Sequence, residues 1–289
     1  MLSLMKLYNI KHMSKGGVKD VLDPKDVNAY GFYKLRGIKK VLFELAQILP
    51  KNIISFKIAL ILRKITLRNK VKIIDQTQFD LKLRLFPMDN LGDRFLLFLP
   101  KFFEYDEFQL MSQCLKEDSI FIDIGGNMGI YSLISAKYIN KTGRILSFEP
   151  NPKMIERFRF NIKINEFDQL IELNEIGIAD KEMTFSLALS KKNLGGASIV
   201  KNFGEGNVMV KCRPLLDVLK ENEITKIDLL KIDIEEAEPL ALNPFFQNAP
   251  RALFPKIIFI ESEDNIDLIK LGYKFIKRTR AQNSIYVLD

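Results

Sequence analysis

One histidine, two cysteines and no tryptophan in 289 residues remove several chemistries before any motif is sought. His12 lies ahead of any recognisable fold pattern, so mechanisms built on a histidine base or a histidine metal triad lose their ground. Acid and base work falls to carboxylate, lysine or tyrosine. Cys114 and Cys212 cannot make a disulfide framework, and no C-x-x-C or Cys/His cluster suggests zinc. Long apolar runs are also missing. The most apolar N-terminal stretch, Ile53 to Leu62, is broken by Lys57 and followed by Arg63 and Lys64, short of the roughly 20 residues of a membrane span. Met1 to Ile10 is split by Lys6 and does not read as a signal peptide. A cytoplasmic protein is the expectation.

What is present is a chain 47% apolar and 28% charged, suited to one large globular domain with an extension. Its charge is uneven. Residues 1–72 hold 16 Lys/Arg against 4 Asp/Glu, or +12, whereas the remainder holds 28 against 32, or −4. The basic character therefore belongs to the N-terminal quarter, which suits contact with an anionic membrane or nucleic acid, or a solvated helical face. Val41, Leu42, Leu45, Ile48 and Leu49 recur at helical spacing, and Ile53 to Ile65 follows as a second amphipathic segment. Residues 1–71 read as a basic, mostly helical extension and 72–289 as the main domain. The general rule for amphipathic helices favours Leu42, Leu45, Ile48 and Leu49 packing onto the main domain or a second subunit. A peripheral position at the inner face of a membrane is the alternative.

Val71 to Ile74 and Phe79 to Phe86 read as a hairpin, the second strand alternating Phe79, Leu81, Leu83 and Leu85 with polar residues. Beyond Ser119 short apolar strands alternate with helices. Strands are expected at Ile120 to Ile124, Arg144 to Phe148, Leu170 to Ile176, Ile227 to Ile232 and Lys256 to Ile260. Helices are expected to start near Gly129, Pro152, Pro214, Glu236 and Asp264. This is an α/β pattern, a doubly wound and mostly parallel sheet. Glu182 to Leu189 with Val208 to Lys211 would insert a β-hairpin, and Tyr273 to Lys277 with Ser284 to Leu288 would close the sheet with an antiparallel hairpin.

The run Phe121 to Tyr131 ends a strand in a carboxylate, Asp123, turns through Gly125-Gly126-Asn127-Met128-Gly129 and starts a helix. Such a turn brings backbone close to a ligand at a helix N-terminus. It does not spell the G-x-G-x-x-G of a nicotinamide site. Asp123 would repel a pyrophosphate and attract an ammonium, and Glu149, ending the next strand, suits a ribose diol. With Asp123 in front, the turn suits the amino-acid end of S-adenosylmethionine better than a pyrophosphate. A second cluster, Asp228 to Glu238, ends the expected central strand, where open α/β sheets place ligands. Asp233 and Glu235 would stand at that rim, with Lys231 on the same face as Asp233. Glu261 ends the next strand in the same rim position.

Together these motifs resemble the FkbM-type family of S-adenosylmethionine-dependent methyltransferases. The likeness is carried by Phe121 to Ser132, Phe148-Glu-Pro-Asn-Pro152, Ile178-Ala-Asp180, Asn193-Leu-Gly-Gly-Ala-Ser198, Leu229 to Glu235 and Leu271-Gly-Tyr273, in the family's order across about residues 72–289. The resemblance implies a class I, Rossmann-like methyltransferase fold. It implies O-methylation of a hydroxyl, often on a sugar of a surface polysaccharide, lipopolysaccharide or secondary metabolite. It would have Asp123, Gly125, Gly126, Asn127 and Gly129 hold the methionine part, Glu149 the ribose, and Asn151, Ile178 and Asp180 surround the adenine. Asp233 and Glu235 are then the candidate bases and Lys231 their support. The family usually has glycine where this chain has Glu236, and a side chain there would narrow or recharge the acceptor pocket.

Amino methylation of nucleic acid or protein would want an Asn/Asp-Pro-Pro-aromatic run where Asp233-Ile-Glu-Glu stands. Asp233, Glu235 and Glu261 could suit magnesium, but nothing in the sequence fixes their spacing, and no metal is expected. A nucleic-acid-modifying or nucleic-acid-binding role for the basic segment is the alternative function; the segment matches no standard binding motif. The acceptor, a small molecule or glycan, would meet the loop 191–206, the N-terminal part and, in a homo-oligomer, a partner chain.

Overall fold

The computed structural model describes residues 28–68, 71–102, 104–140, 142–190, 193–198 and 208–289. His12 and most of the loop 191–206 lie outside the described residues. A helical pair comes first, α1 (Gly37–Ile48) and α2 (Ile53–Thr66), then a hairpin, β1 (Ile74–Gln78) and β2 (Leu81–Leu85), and two helices, α3 (Leu91–Phe98) and α4 (Tyr105–Cys114). The main sheet is built from β3 (Ile120–Ile124), β4 (Arg144–Phe148), β5 (Ile171–Asn174), β10 (Leu229–Ile232), β11 (Ile257–Ile260), β12 (Tyr273–Arg278) and β13 (Ser284–Leu288). Helices α5 (Ile130–Ser135), α6 (Pro152–Ile164), α7 (Leu215–Glu221) and α8 (Glu238–Asn248) connect these strands. Between β5 and α7 lie β6 (Gly177–Ile178), β7 (Met183–Ser190), β8 (Asn193–Ser198) and β9 (Val208–Arg213), which form a separate small sheet in the order β6-β9-β7-β8.

The seven strands run in the order β12-β13-β11-β10-β3-β4-β5. β11, β10, β3, β4 and β5 are mutually parallel, and β13 is antiparallel to both β11 and β12. This is the class I methyltransferase arrangement. Strands such as Ile120–Ile124 and Leu229–Ile232 are buried on both faces, as a sheet covered by helices on each side requires. The chain reverses its direction of winding between β3 and β10, and ligands gather outside the carboxyl ends of strands at such a switch point.

Several expectations change. The first hairpin strand is Ile74–Gln78 and not Val71 to Ile74, because Phe79 and Asp80, at φ 53° and 61°, form the two-residue turn. Phe79 is thus a turn residue, packed edge-on against Phe108. No helix follows Asp264. Residues 264–272 are turns with Ile266 and Leu268 buried, because Asn265, at φ 63°, takes the chain out of the right-handed helical region directly after Asp264. Helix α1 buries Phe43 and Ala46, while Leu45 and Ile48 face solvent and Leu42 and Leu49 are half-buried. Phe43 wins that contest because its ring meets Phe98 of α3 edge-to-face at 5.4 Å. Phe56 and Ala59 of α2 are buried likewise.

The hairpin is tied to the residues before α1 by a buried ion pair. Arg84 donates to both carboxylate oxygens of Asp75 at 2.8 and 3.0 Å and to the carbonyls of Asn28 and Ala29. Asp75 also accepts from the backbone N–H groups of Gly31 and Tyr33. Four of the five guanidinium N–H groups and both carboxylate oxygens are engaged, and such pairing is what makes a buried ion pair tolerable.

Candidate active site

A cleft opens at the carboxyl ends of β3, β4 and β10, enclosing about 1080 Å³ with its open mouth included. Its floor is the glycine turn. Gly125 has φ 80° and donates its N–H to the carbonyl of Phe148, closing the turn onto β4. Asn127 follows at φ 53°, held by the amide of Asn90, whose Nδ2 donates to Asn127 Oδ1 at 2.8 Å. Glu149 stands on the wall. Its two oxygens accept the backbone N–H groups of Asn127 and Asn151, each at 2.8 Å, and burial pushes its carboxyl up to about 7 against those two donors. Phe148, Met154, Ile178 and Leu187 supply apolar wall beside it.

The opposite wall is ionic. Lys231 is buried, with its Nζ 3.5 Å from Asp233 Oδ2, 3.3 Å from the carbonyl of Gly125 and 5.0 Å from the centre of the Tyr131 ring. Burial alone would lower its pKa, but the carboxylates of Asp233, Asp123, Glu104 and Glu261 outweigh it and keep the ammonium charged. Burial likewise works against an ionised Asp233, and Lys231 prevails, holding that carboxyl below its ordinary value. The charge of Asp233, with burial, raises Glu261 in turn. Of the two neighbouring acids, Asp233 is thereby the one favoured in its ionised form and Glu261 the one favoured to hold a proton. Asp233, Glu235 and Glu261 bring carboxylate oxygens within 4.8 Å of one another, a spacing the sequence left open.

Of the residues expected to meet the cofactor, Gly125, Gly126, Asn127, Glu149 and Ile178 line the cleft, as do Lys231, Asp233 and Glu235. Asp123 does not. It is wholly buried beneath the loop, where its Oδ2 accepts the hydroxyl of Ser132 at 2.6 Å, because at the strand end its side chain turns to the face that α5 covers. Gly129 starts α5 against the Phe158 ring, Asn151 caps α6 by accepting from Lys153 N–H, and Asp180 is exposed on the surface. None of these three is on the cleft wall. Glu236 is also off the wall: it is exposed at φ 77°, just after Glu235 at φ 56°. A φ of this kind is one that glycine adopts readily and a longer side chain does not.

Asn90, Glu104 and Tyr131 line the cleft without being expected as site residues. Tyr131 lies within the loop motif but has no role assigned there, and Asn90 is the N-cap of α3. Glu104 precedes α4, at φ 46°, with no motif around it. Burial and the neighbouring Glu107 push its carboxyl up to about 8, opposed by Lys231. Its Oε2, like Asp123 Oδ1, is a buried oxygen with no hydrogen-bond partner among the described residues.

These features fit S-adenosylmethionine. A carboxylate set by two N–H donors offers acceptors of the kind a ribose diol takes, apolar side chains beside it suit a flat base, and two buried acid oxygens have no hydrogen-bond partner among the described residues. The surplus of acid also rejects phosphate. Fold and cleft thus define a class I methyltransferase. The chain belongs to the methyltransferase FkbM domain family, whose model matches residues 123–280, more than half of its length. S-adenosylmethionine is its cofactor, the source of an electrophilic methyl group on a sulfonium.

Among solved structures, the methyltransferase FkbM of Methylobacillus flagellatus KT is similar at 15% identity and a TM-score of 0.40, over 86% of this chain and 59% of that one. The tRNA (uracil-54, C5)-methyltransferase of Pyrococcus abyssi, in complex with S-adenosyl-L-homocysteine, is similar at 14% identity and 0.41, over 75% of this chain and 43% of that one. The precorrin-6y C5,15-methyltransferase of Geobacter metallireducens GS-15 gives 15% and 0.37, over 63% and 85%. This chain therefore spans 59% of the length of the Methylobacillus protein. No curated protein matches the sequence.

Proposed function

We propose that this chain transfers methyl to a hydroxyl oxygen, of a sugar in a surface glycan, a lipopolysaccharide or a secondary metabolite. The observation that carries the reading is the carboxylate group at the cleft mouth, Asp233 with Glu235 and Glu261, neutralised in part by Lys231. A polyol is recognised by acceptors that take its O–H groups, and a row of carboxylates supplies them. In-line displacement at a methyl group depends on placing the attacking oxygen, so most of the acceleration comes from orientation.

In this mechanism Asp233 accepts the O–H of the acceptor and takes its proton as the oxygen–carbon bond forms, contributing about 10²–10⁴-fold. Lys231 fixes the Asp233 carboxylate and keeps it ionised. Glu235 accepts from a second acceptor hydroxyl. Glu149 takes the ribose hydroxyls, the turn from Gly125 to Asn127 holds the methionine end, and Ile178 borders the adenine. Asp123 acts through the loop it supports. Residues 72–289 are proposed as the catalytic unit and 1–71 as its extension.

The test is transfer of labelled methyl from S-adenosylmethionine to fractionated extracts of the source cell, followed by mass analysis. Label in a glycan or hydroxylated metabolite, stable to mild base as a methyl ether is, supports the reading. Label confined to RNA, or to nitrogen or carbon, overturns it.

A further inference from the structure

Among the described residues, the helical pair leaves two aliphatic stripes uncovered. On α1 the residues Ile38, Val41, Leu45 and Ile48 follow one another at steps of three and four, which places them on one face. On α2 the same spacing links Ile54, Ile58, Ile61 and Ile65. All eight are between 41% and 71% exposed, while the opposite faces, with Phe43, Ala46, Phe56 and Ala59, are buried. Soluble chains scatter single exposed aliphatics; eight in two continuous stripes mark an interaction surface.

Charge identifies what would cover it. Residues 37–68 contain seven Lys/Arg and a single acid, Glu44. Lys57 and Lys64, one heptad apart and both exposed, border the α2 stripe. A second copy related by a two-fold axis would set each basic border against its own kind. RNA would match the charge but not the isoleucines, since bases are gripped by aromatic rings. The headgroup region of an anionic bilayer matches both: aliphatic side chains enter the acyl boundary and ammonium groups stay with the phosphates. At 12 and 14 residues the helices are far too short to cross a bilayer, so they would lie in its plane.

We propose that α1 and α2 form a docking surface for an anionic lipid bilayer. One helix then separates membrane from chemistry. Helix α3 packs against α1 through Phe98 and through Leu97, whose carbonyl accepts from Gln47, while its residues Gly92, Asp93 and Leu96 line the cleft. The docked enzyme would meet acceptors confined to that surface.

The test is flotation of the full-length chain with phosphatidylcholine vesicles, with and without phosphatidylserine, at low and high salt. The wild type is expected to float with phosphatidylserine at low salt, and to lose that binding in high salt and on neutral vesicles. Replacing Lys57→Gln with Lys64→Gln should weaken it about 25-fold, at roughly fivefold per lysine. Ile58→Ser with Ile61→Ser should weaken it at least tenfold, with unchanged melting temperature and cofactor affinity because both positions are exposed. Failure to float at low salt, or equal binding to neutral vesicles, overturns the proposal. So does a self-association in sedimentation, or a retention on RNA in place of vesicles, that the isoleucine pair of substitutions abolishes. Cofactor binding and methyl transfer in solution are indifferent to all of these outcomes.

Discussion

The carbonyl oxygen of Asp233 stands 2.1 Å from where a Cβ on Gly125 would lie, so the ends of β3 and β10 touch through a glycine that nothing larger can replace. Gly125 also has φ 80°, a region that L side chains resist. Gly125→Ala must therefore push the Asp233 backbone away, moving the cofactor turn and the rim carboxylate together. Overpacking of this kind costs about 1–3 kcal/mol. The variant should melt several degrees lower and lose S-adenosylmethionine affinity at least tenfold by calorimetry. Wild-type affinity in that variant would show that the contact does not set the turn.

Glu236 presents the reverse case. It holds φ 77° without being glycine, is exposed, and stays off the cleft wall. Glu236→Gly should relieve the conformation and stabilise the chain by about 1 kcal/mol, an amount typical of a non-glycine residue in the left-handed region. Cofactor affinity should not change. Thermal melting and calorimetry on the same preparation check both halves, and an altered acceptor KM would return the residue to the pocket.

The parallel strands were legible because burial on both faces writes itself as short apolar runs, and the site was legible where chemistry coincides with a strand end: Gly125, Glu149, Lys231 and Asp233 all sit there. What the sequence concealed depends on direction and on distant partners. Asp123 and Glu149 both end strands, yet one turns under α5 to Ser132 and the other into the cleft. Glu104 reaches the cleft from a helix start that only tertiary packing brings to β10. On α1 an aliphatic face and a Phe43 face competed, and the partner ring that decided it, Phe98, lies 55 positions on in the sequence.

Cofactor affinity and stability should respond to pH with opposite signs. Glu149 titrates near 7 in the folded chain against an ordinary 4.5, raised by burial. Between those values the folded chain keeps a proton the unfolded chain has lost, so this group makes stability fall as pH rises. Buried Asp93, raised to about 7, and Glu104, to about 8, act in the same direction. The cofactor-free melting temperature should therefore be higher near pH 6 than near pH 8. An ionised carboxylate accepts from ribose hydroxyls more strongly than a neutral carboxyl does, so S-adenosylmethionine affinity should instead improve across that interval. Glu149→Gln should remove most of the affinity change. An affinity that is flat with pH in the wild type would sink the ribose assignment.

The Lys231–Asp233 pair allows base and support to be told apart. Asp233→Asn keeps the shape of the side chain but accepts no proton, so turnover should fall about 10²–10⁴-fold while cofactor affinity holds within a few-fold. Lys231→Gln removes the cation that outweighs burial in holding Asp233 ionised. Its signature is a shift of the acid limb of kcat/KM to higher pH, since the uncompensated carboxyl then binds its proton more tightly. Activity in that variant should recover as pH is raised, and Asp233→Asn should not recover at any pH. Glu261→Gln should leave the proton-rich partner's shape in place and lower turnover far less than Asp233→Asn. If Lys231→Gln loses activity uniformly across pH in a folded protein that still binds S-adenosylmethionine, Lys231 touches the acceptor itself and its role as a positioning residue is wrong.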